Sequence, residues 1–304
     1  MDIRHIIFVP GKNPKPPPAI HREQLWRVLH EGLRRVDPAC AEELQNNLTA
    51  FSLIAWNFSY YHVHADIERD RGWIDALIKK SAADADDIRQ AKDWRVRINW
   101  LLYSIADLMP WLIRWLPGPA CATVRETRRY FNDTHHIGRR IREPLKDKLR
   151  HLLDTEQRVL LIGHSLGSVI AFDALWELSH LEQRSEKLDF LSLGSPLGMK
   201  FVQHRMLGHG LKAAAKYPTN IRHWTNISAH GDITALDNDI RDDFAYMLKH
   251  SLVESMTNLH EEVYTWFRND DGLNVHRSYG YLVNDVVAKE ISKWWRGNAI
   301  NNEK

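Results

Sequence analysis

Val159-Leu160-Leu161-Ile162-Gly163-His164-Ser165-Leu166-Gly167-Ser168-Val169-Ile170-Ala171-Phe172 is the stretch that decides the fold. The apolar run before Gly163 reads as a buried strand. Val169, Ile170, Phe172, Leu175 and Trp176 then continue at helical spacing. Between them stands Gly163-x-Ser165-x-Gly167. In a strand–turn–helix context this is a nucleophile elbow, because the turn strains the serine backbone and lifts its Oγ clear of the sheet. The glycines have a steric reason: without side chains, strand and helix can approach closely at the bend.

Outward from the elbow, short apolar runs alternate with helical patterns. Ile3–Val9 reads as a buried strand stopped by Pro10-Gly11. The proline-dense loop 12–18 has an extended, polyproline-like path; it matches a PxxP ligand pattern but reads better as a stiffened loop. Ile20, Leu25, Val28, Leu29 and Leu33 predict a helix over 20–35, and Phe51–Phe58 a second strand. Leu188–Leu193 and Ile221–Ala229 predict two more strands, ending in Gly194-Ser195-Pro196 and His230-Gly231-Asp232. The stretch holding His250 and His260 reads as mobile or helical, and Val283–Trp295 as an amphipathic helix. Short apolar strands alternating with helices indicate a parallel sheet covered on both faces.

With 304 residues, 44% hydrophobic and 26% charged, the chain suits one soluble α/β domain over 1–304. Its 41 basic and 39 acidic residues are interspersed, so no nucleic-acid partner is expected. Cys40 and Cys121 imply no disulfide framework. The N-terminal residues lack the basic and apolar regions of a secretory signal, and a cytoplasmic protein is expected. Residues 68–135 break the alternation: they show no clear strand but hold Trp73, Trp94, Trp100, Trp111 and Trp115. Within them, Ile98–Leu116 has transmembrane length, yet Asp107, Pro110 and Arg114 argue against spanning. The expectation is a helical cap over the site mouth. Two other readings stay open, an interfacial helix making membrane-surface contact through 98–116 and a partner-binding or ordinary core helix pair.

A serine hydroxyl is a weak nucleophile and needs a base, an orienting acid and an oxyanion site. With Ser165 as nucleophile, acid and base should follow in that order on loops after strands. Asp232 is the first choice of acid, with Asp237 and Asp239 as rivals in its loop. His276, in a loop entering the last helix, is the first choice of base over His250 and His260. The oxyanion donors expected are the N–H of Leu166, at a helix N-terminus where the dipole favours negative charge, and an N–H near Lys12 or Gly11. Neither His62-x-His64 with Asp66 nor His135-His136 has a third ligand at fixed spacing. No metal and no cofactor is called for. Ser195 reads as a structural residue rather than a second nucleophile.

Phe8-Val9-Pro10-Gly11, Gly-His-Ser-Leu-Gly at 163–167, Gly194-Ser195-Pro196-Leu197, Trp224-x-Asn226-Ile-x-x-x-x-Asp232 and Val275-His276-x-Ser278-Tyr279 together resemble the α/β-hydrolase superfamily, in particular its lipase and esterase branch. The resemblance implies a mostly parallel sheet with Ser, Asp and His at its carboxyl edge, and hydrolysis of carboxylic esters. Two departures stand out. Pro10-Gly11 replaces the usual His-Gly of the oxyanion loop, and the chain begins with the strand that usually comes third, which implies about six strands. The expected activity is that of a serine hydrolase acting on a small-molecule or lipid ester through an acyl-enzyme. A thioesterase, an amidase, an acyltransferase and a non-catalytic interaction protein share the same fold.

Overall fold

The short apolar runs pair as parallel strands. The computed structural model describes residues 3–93, 128–133, 136–235 and 239–297. Its main sheet contains β1 (Arg4–Val9), β2 (Phe51–Leu53), β3 (Arg158–His164), β4 (Leu188–Leu193), β5 (Ile221–Ile227) and β6 (Ser255–Leu259), in the order β2-β1-β3-β4-β5-β6. Every pairing in it is parallel. This is the architecture expected from the elbow outward, including the strand number.

Successive strand residues point to opposite faces, and each face has its own core. Ile7, Val9, Leu161, Phe190 and Trp224 pack with the helices Ile137–Asp154 and Leu166–His180. Ile6, Phe8, Leu160, Ile162 and Leu193 pack with the helices Pro18–Val36 and Asp285–Trp295. Burying each such side chain is worth about 1.5–3 kcal/mol, so a one-residue slip in register would strip both cores at once.

The connections then place the crevice. From β1 the chain crosses to β2 through the helix Pro18–Val36, then returns to the other side of β1 through Ile137–Asp154 and enters β3. Right-handed crossovers running in opposite directions put these helices on opposite faces. The loops after β1 and β3 therefore diverge, and a crevice opens at the carboxyl ends of the two strands, which is where open α/β sheets bind ligands. Register aligns that edge: Val9 is paired with Gly163, Gly163 with Ser192 and Ser192 with Asn226.

Two expectations need correction. The strand foreseen over 51–58 ends at Leu53, and Asn57–Tyr61 is a short helix. Trp56 and Asn57 leave the ladder because their side chains are used to hold the loop after β1. The stretch around His250 and His260 is not simply helical: Ile240–Asp243 and Ala245–Lys249 are short helices, and Ser255–Leu259 is the edge strand β6. Only Met256 is buried along β6, so no apolar run marks it. Within 68–135, Glu68–Lys79 and Ala85–Ala91 are helices. Ile74 and Leu77 insert into the second core, and Trp266 Nε1 donates to the Leu77 carbonyl at 3.2 Å. The apolar segment 98–116, with Trp94, Trp100, Trp111, Trp115 and Cys121, lies outside the described residues. Among the described residues no helix is long and apolar enough to cross a membrane.

Candidate active site

The elbow is built by backbone strain and close packing. Ser165 lies between β3 and the helix Leu166–His180 with φ 54° and ψ −130°, a region that costs a non-glycine residue about 1–3 kcal/mol. Its neighbours hold it there. Ser165 N donates to the Leu193 carbonyl at 3.0 Å, and its own carbonyl accepts from Ser168 N at 2.9 Å and Ser168 Oγ at 2.6 Å. A Cβ at Gly167 would stand 2.2 Å from the Val9 carbonyl oxygen, and one at Gly163 2.5 Å from Ser168 Cα. Both glycines are therefore required by the approach of helix to sheet.

Ser165, Asp232 and His276 meet at this edge. His276 Nε2 is 2.9 Å from Ser165 Oγ, and His276 Nδ1 is 2.8 Å from Asp232 Oδ2. A carboxylate only accepts, so Nδ1 carries the proton and Nε2 is the free lone pair facing the serine hydroxyl. Asp232 is fully buried, whereas the His276 side chain keeps 26% of its exposure, which makes the imidazole the open member of the three. Burial alone would raise the Asp232 carboxyl. The His276 charge and the hydrogen bonds donated by His276, Tyr281 and Thr234 outweigh it, and the group sits at about 2.

The rivals are placed elsewhere. Asp239 caps the helix Ile240–Asp243, pairs with Arg241 and accepts from Asn258, while Asp237 lies outside the described residues. His250 stacks on Tyr246, and His260 is bonded to the Ser228 carbonyl beside His230. Ser195 Oγ lies 2.7 Å from Ser168 Oγ and caps Leu197 N, a locking role behind the elbow. His64 stacks on Phe58 and His136 precedes the helix Ile137–Asp154; His135 lies outside the described residues. Among the described residues no cluster of three or more His, Cys, Asp or Glu is arranged to hold a metal.

The loop after β1 is aimed by side chains that sequence reasoning missed. Trp56 Nε1 donates to the Pro10 carbonyl at 2.8 Å, and Asn57 Nδ2 to the carbonyls of Gly11 and Asn13, both at 2.9 Å. Tyr61 Oη accepts from Asn13 N. Since the Gly11 carbonyl is drawn to Asn57, the trans peptide turns Lys12 N–H the opposite way. Leu166 N–H is at the first position of its helix, where no intrahelical acceptor exists.

Other side chains hold Asp232 and the segment that carries His276. Tyr281 Oη donates to Asp232 Oδ2 at 2.7 Å and accepts from Ala229 N at 2.9 Å. Burial first, and the Asp232 charge second, raise the Tyr281 phenol well above its ordinary range, so it stays a donor. The three residues of the base segment are anchored one by one: Val275 O accepts from Thr265 Oγ1 at 2.9 Å, His276 O from His164 Nε2 at 2.8 Å, and Arg277 is ion-paired to Asp70. Only Tyr281 carried a sequence signal, since it stands five residues after His276 in an aromatic-rich turn. A cleft of about 480 Å³ opens beside His276, lined by Ala91, Gly231, Ile233, Leu273 and Val275 among others.

A parallel sheet, a strained serine at the end of its central strand and this carboxyl-edge geometry define the architecture. This chain has the α/β-hydrolase fold. Residues 121–269 match a family described as "Putative serine esterase (DUF676)", and that match supports a serine esterase-like function. The matched segment contains Ser165 and Asp232 and ends before His276. No curated protein and no solved structure matches the chain.

Proposed function

We propose that this α/β-hydrolase cleaves carboxylic esters by nucleophilic catalysis through Ser165. The observation that carries the reading is the continuous relay from Asp232 Oδ2 through the His276 ring to Ser165 Oγ, with both contacts under 3 Å. His276 Nε2 takes the hydroxyl proton as Oγ attacks the ester carbonyl. Asp232 holds the tautomer and stabilises the imidazolium that forms. The tetrahedral oxyanion is received by the N–H groups of Leu166 and Lys12, with Gly11 as the alternative loop donor, and the helix N-terminus at Leu166 adds a favourable dipole. His276 returns its proton to the leaving alcohol. It then activates the water that releases the acyl group from Ser165.

The cleft beside His276 offers space for one part of a small-molecule or lipid ester. Thioesterase, amidase and acyltransferase chemistry would use the same three side chains. The discriminating experiment is a kinetic panel of p-nitrophenyl esters of rising acyl length, run beside thioester and amide probes. Ester turnover that falls by several orders of magnitude in Ser165→Ala is the expected result. Full activity in that variant, or turnover confined to thioesters or amides, would reject the ester assignment.

A further inference from the structure

His164, the first of the two variable residues of the elbow motif, is 5% exposed and lies between the segment that carries His276 and the loop after β1. Its Nε2 is 2.8 Å from the His276 main-chain carbonyl. A carbonyl only accepts, so Nε2 carries the ring proton and Nδ1 is a bare lone pair. That Nδ1 is buried without a hydrogen-bond partner. It faces Gly11: a Cβ there would stand 3.0 Å from His164 Nδ1 and 2.8 Å from Ser165 Cβ. The ring also lies against the His276 ring, with centroids 4.9 Å apart, and against Tyr281 at 5.7 Å. A side chain used only to fill space would be apolar here, because an unpaired buried acceptor costs about 1–3 kcal/mol. The donor to His276 O is what an apolar residue cannot supply.

We propose that His164 is a positioning residue: it clamps the main chain of His276 and, wedged against Gly11, sets the spacing of the base segment and the oxyanion loop about Ser165. The inference rests on the serine-hydrolase reading above. Burial first, and the His276 charge and Lys15 after it, keep the His164 ring neutral, so the clamp does not place a second cation beside the imidazolium formed in turnover. Gly11 complements it, since any larger residue would push the ring or the serine aside. His164 touches no reacting atom in this scheme.

The test compares His164→Gln with His164→Asn in the full chain. The Gln amide reaches the position of Nε2 and can still donate to the His276 carbonyl; the Asn amide, one methylene shorter, cannot. An error of about 1 Å in placing a catalytic group costs about 100-fold in rate. The expected result is therefore a kcat about 100-fold below wild type for His164→Asn, with KM within about threefold, while His164→Gln stays within about fivefold of wild type. Labelling of Ser165 by a fluorophosphonate should slow in the same order. Both variants carry a short amide and avoid overpacking, and circular dichroism with thermal melts checks that both are folded. Equal kcat for Gln and Asn, or a loss expressed only in KM or melting temperature, overturns the clamp while leaving an active wild-type hydrolase. A folded wild type with neither ester turnover nor labelling overturns the hydrolase reading and the clamp with it.

Discussion

Asp232 Oδ2 receives two hydrogen bonds, from His276 and from Tyr281, so the carboxylate is held by more than the imidazole beside it. Tyr281→Phe removes one of them and leaves Ala229 N–H buried without its acceptor. A charge-assisted bond of this kind is worth about 1.5–3 kcal/mol. The expected outcome is a kcat about tenfold lower and a matching drop in the urea midpoint, checked by kinetics and equilibrium unfolding. Asp232→Asn should cost far more, about 10⁴-fold in kcat, because an amide stabilises the wrong imidazole tautomer. Because the Asp232 carboxyl titrates at about 2, it stays ionised through the whole usable pH range. At this scale the meeting of Ser165, Asp232 and His276 at one edge was legible from motif, order and loop placement. Thr265 and His164 were not readable as supports, since each bonds a main-chain carbonyl, that of Val275 and that of His276, which no side-chain pattern marks.

The elbow element tolerates no added atom on its inner side. Gly167→Ala would set a methyl 2.2 Å from the Val9 carbonyl, against backbone that cannot move without separating the helix from β1. Overpacking of this sort costs about 1–3 kcal/mol, and the displaced helix should carry Leu166 N–H out of place. A loss of stability together with near-complete loss of turnover is expected, measured on the same preparation. A second element, the helix Glu68–Lys79, reaches the base segment through the Asp70–Arg277 ion pair, where the Arg277 guanidinium also lies near the rings of Phe267 and Tyr279. Asp70→Asn should lower kcat more than it raises KM, and a salt titration should reduce the difference from wild type. The strands with strong apolar runs, β1, β3, β4 and β5, were legible as elements. β2 was drawn too long because Trp56 and Asn57 are apolar or neutral residues recruited to hold a loop, and β6 was missed because an edge strand with one buried side chain leaves no periodic signal.

Across the whole molecule, burial of neutral histidines ties stability to pH. His5 is held down to about 4 by burial first, with Lys148, Arg22 and His151 adding to it. His21 and His164 are displaced in the same direction, also by burial first. The unfolded chain therefore binds protons on these residues before the folded one does, and unfolding takes up protons below about pH 6.5. Stability should fall as pH drops from 6.5 towards 4. Urea unfolding at pH 7, 5.5 and 4.5 checks this, and His5→Gln should flatten the slope. Asp232, whose folded carboxyl lies below its ordinary 3.8, adds stability above that value and loses it only towards about 2. The fold class, the parallel sheet and the site at its carboxyl edge follow from patterns spread over the whole chain. Substrate choice does not, because it is set by what surrounds the cleft beside His276. The most direct test of the central assignment is mass spectrometry of the native protein after treatment with a fluorophosphonate. The expected result is one stoichiometric adduct on the peptide containing Ser165, absent in Ser165→Ala and strongly slowed in His276→Gln. An adduct on another serine, or none on a folded and monodisperse sample, would contradict it.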